Sequence, residues 1–419
     1  MAQYKFNDLI GTDFGFKLPG LIGNQVSVDP IQVRSEPTEL NYVVHDSFVG
    51  CEVEWRDFEG AAAATPFQSI DWLKCWWDAY RATEQQPSLK LKIIFAYSNG
   101  KLVAILPLVL EQNRFLSRLT WLCADLSDYN APLIERDFFE TLDRAKIDAL
   151  LSGVLDTIPN IDLLYLPKQP KEIAGRPNPF HGYRAHDYRL SYHSAGIGGD
   201  WESYFKGQRA GKTRSRLKSK ARHMRERAGM IIRECSDPVE RSEITCKTIK
   251  WKQAQLVQSG GMDPFAGSEV IPFFMALAQD VHVRDDFRVF TAEVDGQPIA
   301  CAFGLVTDGR FILYQTAYEP GEYARYSPGV LLLMQMMEMF AGEGFEVFDF
   351  SIGDEPYKFD WADEHSDLSV TLRAQNLTGW LAKLAVVSKL NLKGWIKSSD
   401  RRFAMAKALN RRLRHLAGD

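Results

Sequence analysis

No stretch of this chain reaches 18 consecutive apolar residues, so no segment reads as a single membrane-crossing helix. The opening MAQYKFNDLIGTDFGFKLPG holds no continuous apolar block of the signal-peptide kind. Cysteine is sparse, six in 419 residues at positions 51, 75, 123, 235, 246 and 301, and no short spacing pairs them. That scatter fits reduced thiols packed as small hydrophobes in a cytoplasm. The eight histidines are equally dispersed, so no metal site is expected. A net charge of −4 argues against a chain devoted to nucleic acid, although basic stretches remain. Apolar residues, by contrast, are plentiful. A hydrophobic share of 45% with 12% aromatics can fill sizeable cores, and the length suggests two or three domains.

Residues 1–45, rich in Gly, Pro, Asp and Ser, carry no sustained period and read as a loosely ordered arm. Alternation in FVGCEVEW suggests a first strand. TPFQSIDWLKCWWDAYRA then reads as a helix with Trp72, Trp76 and Tyr80 along one face. Strands LKIIFAY and KLVAILPLVL meet at SNG, and IDLLYL precedes the polar PKQPKEIAGRPNPFHG, the expected domain boundary. These divisions give a first domain over 46–175, a second over 185–375 and a basic tail of short amphipathic helices over 376–419. FAYSNGKLVAILPLVL and FTAEVDGQPIACAFGLV can be overlaid with Gly100 on Gly296 and Ala104 on Ala300, an echo that points to two related α+β halves.

Three features carry chemistry. RYSPGVLLLMQMMEMF opens with a helix start, Ser327 and Pro328, and continues almost wholly apolar, so this helix must be buried all round. Its first turn offers uncovered N–H groups at Gly329, Val330 and Leu331, where an anion could sit, whereas Pro328 donates none. Residues 206–227 carry ten Lys or Arg against one acid, and six of the basics alternate from Lys212 to Arg222, wrapping a helix whose apolar stripe is Leu217, Ala221, Met224 and Ala228. A solvated face explains such a run, and so does a polyanion such as tRNA, an anionic polysaccharide or CoA phosphate. The tail from Thr378 combines ten Lys or Arg with Trp380, Leu384, Leu392 and Trp395, suiting either an anionic membrane surface or a protein contact.

The order hairpin, third strand, turn, buried helix, strand resembles the GNAT acyltransferase fold, and TPFQSIDWLKCWW, GKLVAILPL, DGQPIACAFGL, RYSPGVLL and FDFSIGDEPYKFDWAD resemble the CelD-like acetyltransferases, relatives of the FemABX peptidyltransferases. The resemblance implies two tandem GNAT-like domains with mixed central sheets flanked by helices, the first a degenerate copy. It also implies transfer of an acyl group from acetyl-CoA or another acyl-CoA, without a metal, to a small-molecule or glycan amine, in a setting of cell-surface polysaccharide production. ARYSPGV departs from the usual Gln/Arg-glycine pyrophosphate loop, which leaves an aminoacyl-tRNA donor, as in FemABX relatives, as the alternative. A non-catalytic partner in polysaccharide assembly is the other.

On this reading two central strands splay apart, with Tyr314, Ala317 and the Ser327–Leu331 turn bordering the donor site. Alternation in VFDFS sets Asp349 on one face of the second strand, where it or Asp354 would be the base. A structural aspartate, bonded to loop N–H groups or paired with Lys358, explains Asp349 equally. In GDEPYK, Tyr357 would protonate the leaving thiolate, and Lys358, together with Trp251, would contact the acceptor.

Overall fold

The computed structural model describes residues 40–83, 88–259, 263–280, 282–283, 286–399, 401–402 and 405–406. Its main strands are β1 (Leu40–His45), β2 (Leu89–Ser98), β3 (Lys101–Gln112), β4 (Ser117–Trp121), β5 (Leu163–Gln169), β6 (Ala185–Gly196), β7 (Ile231–Glu234), β8 (Phe287–Val294), β9 (Gln297–Thr307), β10 (Arg310–Tyr318), β11 (Val347–Ile352) and β12 (Glu364–Ala374). The principal helices are α1 (Glu52–Glu59), α2 (Ile70–Thr83), α3 (Arg144–Thr157), α4 (Gly211–Ala228), α5 (Pro238–Ser259), α6 (Val270–Gln279), α7 (Pro328–Gly342) and α8 (Leu377–Lys397).

One mixed sheet runs in the order β1-β2-β3-β4-β5-β12-β6-β11-β10-β9-β8-β7. β1 to β5 and β7 to β11 therefore repeat one plan, antiparallel up to a final parallel pair, β4–β5 in one half and β10–β11 in the other. A parallel pair needs a crossover, which α3 and α7 supply. The repetition extends to single residues. Ala96 pairs with Ala104 before the register slips to Tyr97 opposite Leu102, and Ala292 pairs with Ala300 before it slips to Glu293 opposite Pro298. Both hairpins turn through two residues at positive φ, Asn99 and Gly100 in one, Asp295 and Gly296 in the other, the conformation that a tight hairpin's twist demands. The echo read from the sequence is thus a structural repeat.

The halves exchange a strand. β6 follows the first half in the chain but pairs with β11, and β12 follows the second half but pairs with β5. β6 and β12 also pair with each other, so the sheet continues across the junction. A shared aromatic core joins the helical layers. The Trp72 ring of α2 meets Phe273 of α6 edge-on at 5.0 Å and Tyr314 of β10 at 5.5 Å.

Burial of α7 on all sides is explained by what covers it. Leu331, Leu332, Met336, Met337 and Phe340 lie at 1% exposure or less, against the β8–β11 face and the helix Trp201–Gln208. At about 1.5–3 kcal/mol for each large side chain fully buried, this packing outweighs the run's weak polar contrast. α4 contributes Leu217 and Met224 to the same core, with Ala221 and Ala228 at its margin. The apolar stripe of the basic helix therefore faces the core that also buries α7.

Four expectations change. FVGCEVEW supplies helix α1, because Trp55 and Phe58, three residues apart, bury one face while acids fill the first turn. Of the expected arm, residues 1–39 lie outside the described residues, and Leu40–His45 is a strand on β2. The long basic helix is two, broken where Arg209 takes an extended backbone. Residues 377–397 of the tail, expected as part of a series of short helices, form the single helix α8.

Candidate active site

The strands that should splay do so. β10 and β11 pair only from Arg310 opposite Val347 to Ile312 opposite Asp349, and beyond that point no ladder joins them. β11 bends there: Ser351 is buried with φ of 58°, a left-handed backbone that a non-glycine residue holds only when its surroundings fix it.

A loop of the first half fixes it. Residues 122–130 reach into the divergence, where Asp128 accepts from Ser351 Oγ at 2.5 Å and Tyr129 donates its hydroxyl to Asp349 Oδ1 at 2.8 Å. Tyr314 donates to the Leu126 carbonyl at 2.8 Å. The loop is tied from behind by the buried Lys168, whose ammonium donates to the Asp125 and Ser127 carbonyls at 2.7 and 3.0 Å. Burial raises the Asp128 carboxyl to about 6, with the nearby Lys168 charge opposing part of that shift.

Asp349 is 1% exposed and triply engaged. Besides Tyr129 it accepts from the Ser351 N–H at 2.7 Å and from Arg310 Nη1 at 3.0 Å. The sequence offered an unengaged base or a structural partner, and the geometry supplies partners, with Arg310 in place of Lys358. Asp349→Asn leaves the Arg310 guanidinium without its counter-charge. Losing one partner of a buried ion pair costs about 3–5 kcal/mol, and because the Arg310 side chain is 30% exposed the expected loss is nearer 2–3 kcal/mol, read by urea unfolding.

At the far end of β10, α7 begins with Ser327 in a left-handed conformation and no side-chain cap. Its hydroxyl instead accepts from Lys220 Nζ of α4 at 3.1 Å, and the same ammonium donates to the Arg325 carbonyl at 3.2 Å. The His223 ring stacks on Tyr326 at 5.1 Å. The basic helix and the uncovered helix start, separate in the sequence, thus form one cationic corner. Of the three expected amides, Val330 and Leu331 N–H already donate to the Ser327 carbonyl, at 2.9 and 3.2 Å. Gly329 remains in the turn, half-buried beside Tyr318. The equivalent helix of the first half, α3, is capped by Asp143, whose carboxylate accepts from Lys146 N–H at 2.8 Å and occupies the position an anion would take.

The GDEPYK loop follows β11. Asp354 lies 3.6 Å from His193 Nε2 and 2.6 Å from Lys397 Nζ of α8, contacts that hold its carboxyl well below the usual range. Glu355 lies between Lys252 at 3.7 Å and Lys358 at 3.1 Å, and the buried Lys358 also donates to the Ile352 carbonyl. Burial raises the Tyr357 phenol, which favours retention of its proton. Tyr314 and Ala317 are core residues, and half-buried Trp251 packs on the joint core beside Lys252.

A cleft of about 600 Å³ opens at the other end of β10 and β11, and Tyr129 and Asp349 are in its lining. Glu172, Asp308, Glu346, Asp363 and Glu364 also line it, against Lys171 and Arg310. Sequence reasoning missed Asp128, Tyr129 and Arg310 and did not separate Lys220 from the other alternating basics. Local pattern marks none of the first three, since Asp128 and Tyr129 belong to a loop whose neighbours are some 220 residues away in the chain.

Residues 211–359 match the family model described as an acetyltransferase (GNAT) domain. Among solved structures, FemX is similar at 11% identity and a TM-score of 0.54, covering 83% of this chain and 100% of FemX. The C-terminal domain of a putative lysylphosphatidylglycerol synthetase from Agrobacterium fabrum is similar at 11% identity and a TM-score of 0.47, covering 76% of this chain and 96% of that one. A tandem GNAT protein from the clavulanic acid biosynthesis pathway is similar at 12% identity and a TM-score of 0.44, covering 81% and 99%. At these identities the likeness is one of fold. A comparison with curated proteins found no match. Residues 211–359, which hold the splay of β10 and β11 within the second half of the repeated sheet plan, thus form a GNAT-type acetyltransferase domain.

Proposed function

We propose that the protein transfers an acyl group, acetyl in the simplest case, from an acyl-CoA to an amine. The observation that carries this reading is the meeting of Lys220 with the start of α7. A point charge beside a helix N-terminus suits a pyrophosphate. The acyl carbonyl would then lie in the splay between β10 and β11. The acceptor would enter by the acidic cleft, which favours a cationic amine such as an amino sugar of a cell-surface glycan. The bound ammonium first gives one proton to solvent. The free amine then attacks, the C–N bond forming as the C–S bond breaks. The amine's second proton passes through the Ser351 hydroxyl to Asp128, and the leaving thiolate takes a proton from water. A carboxyl near 6 is ionised at neutral pH yet basic enough for that task. Asp349 orients Tyr129, and Asp354, held ionised by Lys397, anchors the loop. The Asp143 cap supports a first half that has kept the fold and lost the donor site. All six cysteines are free, in keeping with a reducing cytoplasm.

A second reading is supported by the exposed Lys212, Arg216, Arg222, Arg225 and Arg227 of α4, which form a surface for a polyanion such as an aminoacyl-tRNA. Calorimetry separates the two. Stoichiometric acetyl-CoA binding that changes little between 50 and 200 mM salt is expected for the first. Absence of CoA binding, with tRNA binding that falls about 10³-fold or more over that range, would replace it with the second.

A further inference from the structure

Helix α8 has one face fixed to the protein and another facing solvent. Its inner face sets Leu390, Val386 and Val387 on Val370 and Leu372 of β12 and on Tyr165 and Tyr188. Gly379 allows this approach, because a Cβ there would stand 1.8 Å from the Asp162 carbonyl oxygen. Asn376 caps the start by accepting from Gly379 N–H at 2.9 Å, and Lys397 holds the end through Asp354. With these contacts in place the helix cannot roll. On the opposite side Leu377, Trp380, Leu381, Leu384, Leu392 and Trp395 lie on one stripe at helical spacing, each between 43% and 72% exposed. Their helix is about 30 Å long at 1.5 Å per residue.

The stripe itself carries no charge, and residues 377–399 contain no Asp or Glu. Of their four lysines, Lys383 donates to the Leu372 carbonyl at 3.5 Å, Lys393 lies over the Tyr188 ring at 5.4 Å and Lys397 holds Asp354, which leaves the exposed Lys389 beside the stripe. The following 400–419 carry six Lys or Arg and two Asp. Arg402 sits over the Trp395 ring at 4.3 Å. Among the described residues no helix is long and apolar enough to cross a membrane, so the stripe's geometry is that of a helix lying along a surface. A protein partner would have to supply an apolar groove ringed with acid. A bilayer with anionic headgroups supplies both halves of the match, acyl chains for Trp and Leu and phosphate for the flanking cations.

We propose that α8 is a membrane-surface helix that docks the enzyme on an anionic phospholipid bilayer through the Leu377–Trp395 stripe. The lysine that grips Asp354 sits at the end of this helix, so the docked helix adjoins the GDEPYK loop. The test uses the full chain with vesicles of phosphatidylcholine alone and with 30 mol% phosphatidylglycerol, read by flotation. The expected result is binding to the anionic vesicles at least tenfold tighter than to the neutral ones. Brominated acyl chains should quench tryptophan fluorescence in the bound state. Trp380→Ser combined with Trp395→Ser should lower vesicle binding at least tenfold, with far-UV circular dichroism and thermal unfolding unchanged because both rings are exposed. Lys389→Glu with Arg401→Glu should remove the preference for anionic lipid. No binding to anionic vesicles, or equal binding by the double tryptophan variant, overturns the proposal. So does a wild-type dimer that the tryptophan variant turns monomeric, which would assign the stripe to a second copy.

Discussion

Asp128→Asn is expected to lower turnover by about 10²-fold or more and to leave the protein no less stable at pH 8. The two halves of that expectation share one cause. In the folded protein burial raises the Asp128 carboxyl from an ordinary 3.8 to about 6, so the native state binds its proton more tightly than the unfolded chain does. Between those values the native state holds more protons, and stability falls as pH rises. At 1.36 kcal/mol per pKa unit the loss reaches about 3 kcal/mol once pH passes 6. Asp128→Asn abolishes that loss, since an amide does not ionise, and it can still accept from Ser351. The difference in unfolding free energy between variant and wild type should change across pH 4 to 6 and stay flat above it, as read by urea melts. Over the same range kcat/KM of the wild type should rise with an apparent pKa near 6, and the variant's should not. Ser351→Ala should share the loss of turnover. A variant with full activity and the wild-type pH limb would remove Asp128 from the reaction.

Lys220→Ala should weaken acetyl-CoA binding about 10- to 100-fold, with kcat at saturating donor unchanged. A hydrogen bond to a charged group contributes about 1.5–3 kcal/mol, and that energy is available to the ground state and transition state alike. The ammonium's present partners are the Ser327 hydroxyl and the Arg325 carbonyl, both near the surface, so its removal should shift unfolding by no more than about 1 kcal/mol. Lys220→Arg should recover part of the affinity, because a cation is restored with a different reach. Isothermal calorimetry and initial rates at varied donor separate these effects. A fall in kcat with unaltered KM would instead place Lys220 at the reacting centre.

The sequence was informative wherever the cause of a structure is local. Two hairpins were legible because Asn99-Gly100 and Asp295-Gly296 are the residues a tight turn requires, and the Ala pairs beside them fixed the overlay. The Leu217–Ala228 stripe was visible as a helical spacing, and the apolar run of α7 predicted its own burial. The site was less legible because its parts are distant in sequence. Asp128 and Tyr129 gain their roles from β11, which begins more than 200 residues later. Nothing in a strand's alternation names its partner, so the exchange of β6 and β12 could not be read. Lys220 is one of six basics on alternate positions, and only the meeting of α4 with the turn before α7 selects it from Lys218, which turns the other way to Glu202 at 2.8 Å. FVGCEVEW misled because its short alternation mimics a strand while Trp55 and Phe58 carry the helical spacing.

The binding place of the acyl carrier decides how the site works. A crystal structure of the protein with a non-hydrolysable acyl-CoA tests this most directly. The expected density places the pyrophosphate within hydrogen-bond reach of Lys220 Nζ and Gly329 N–H, with the acyl carbonyl between β10 and β11 past Ile312 and Asp349. Carrier found in the acidic cleft, or a turn at Ser327 left unchanged at saturating ligand, would contradict it.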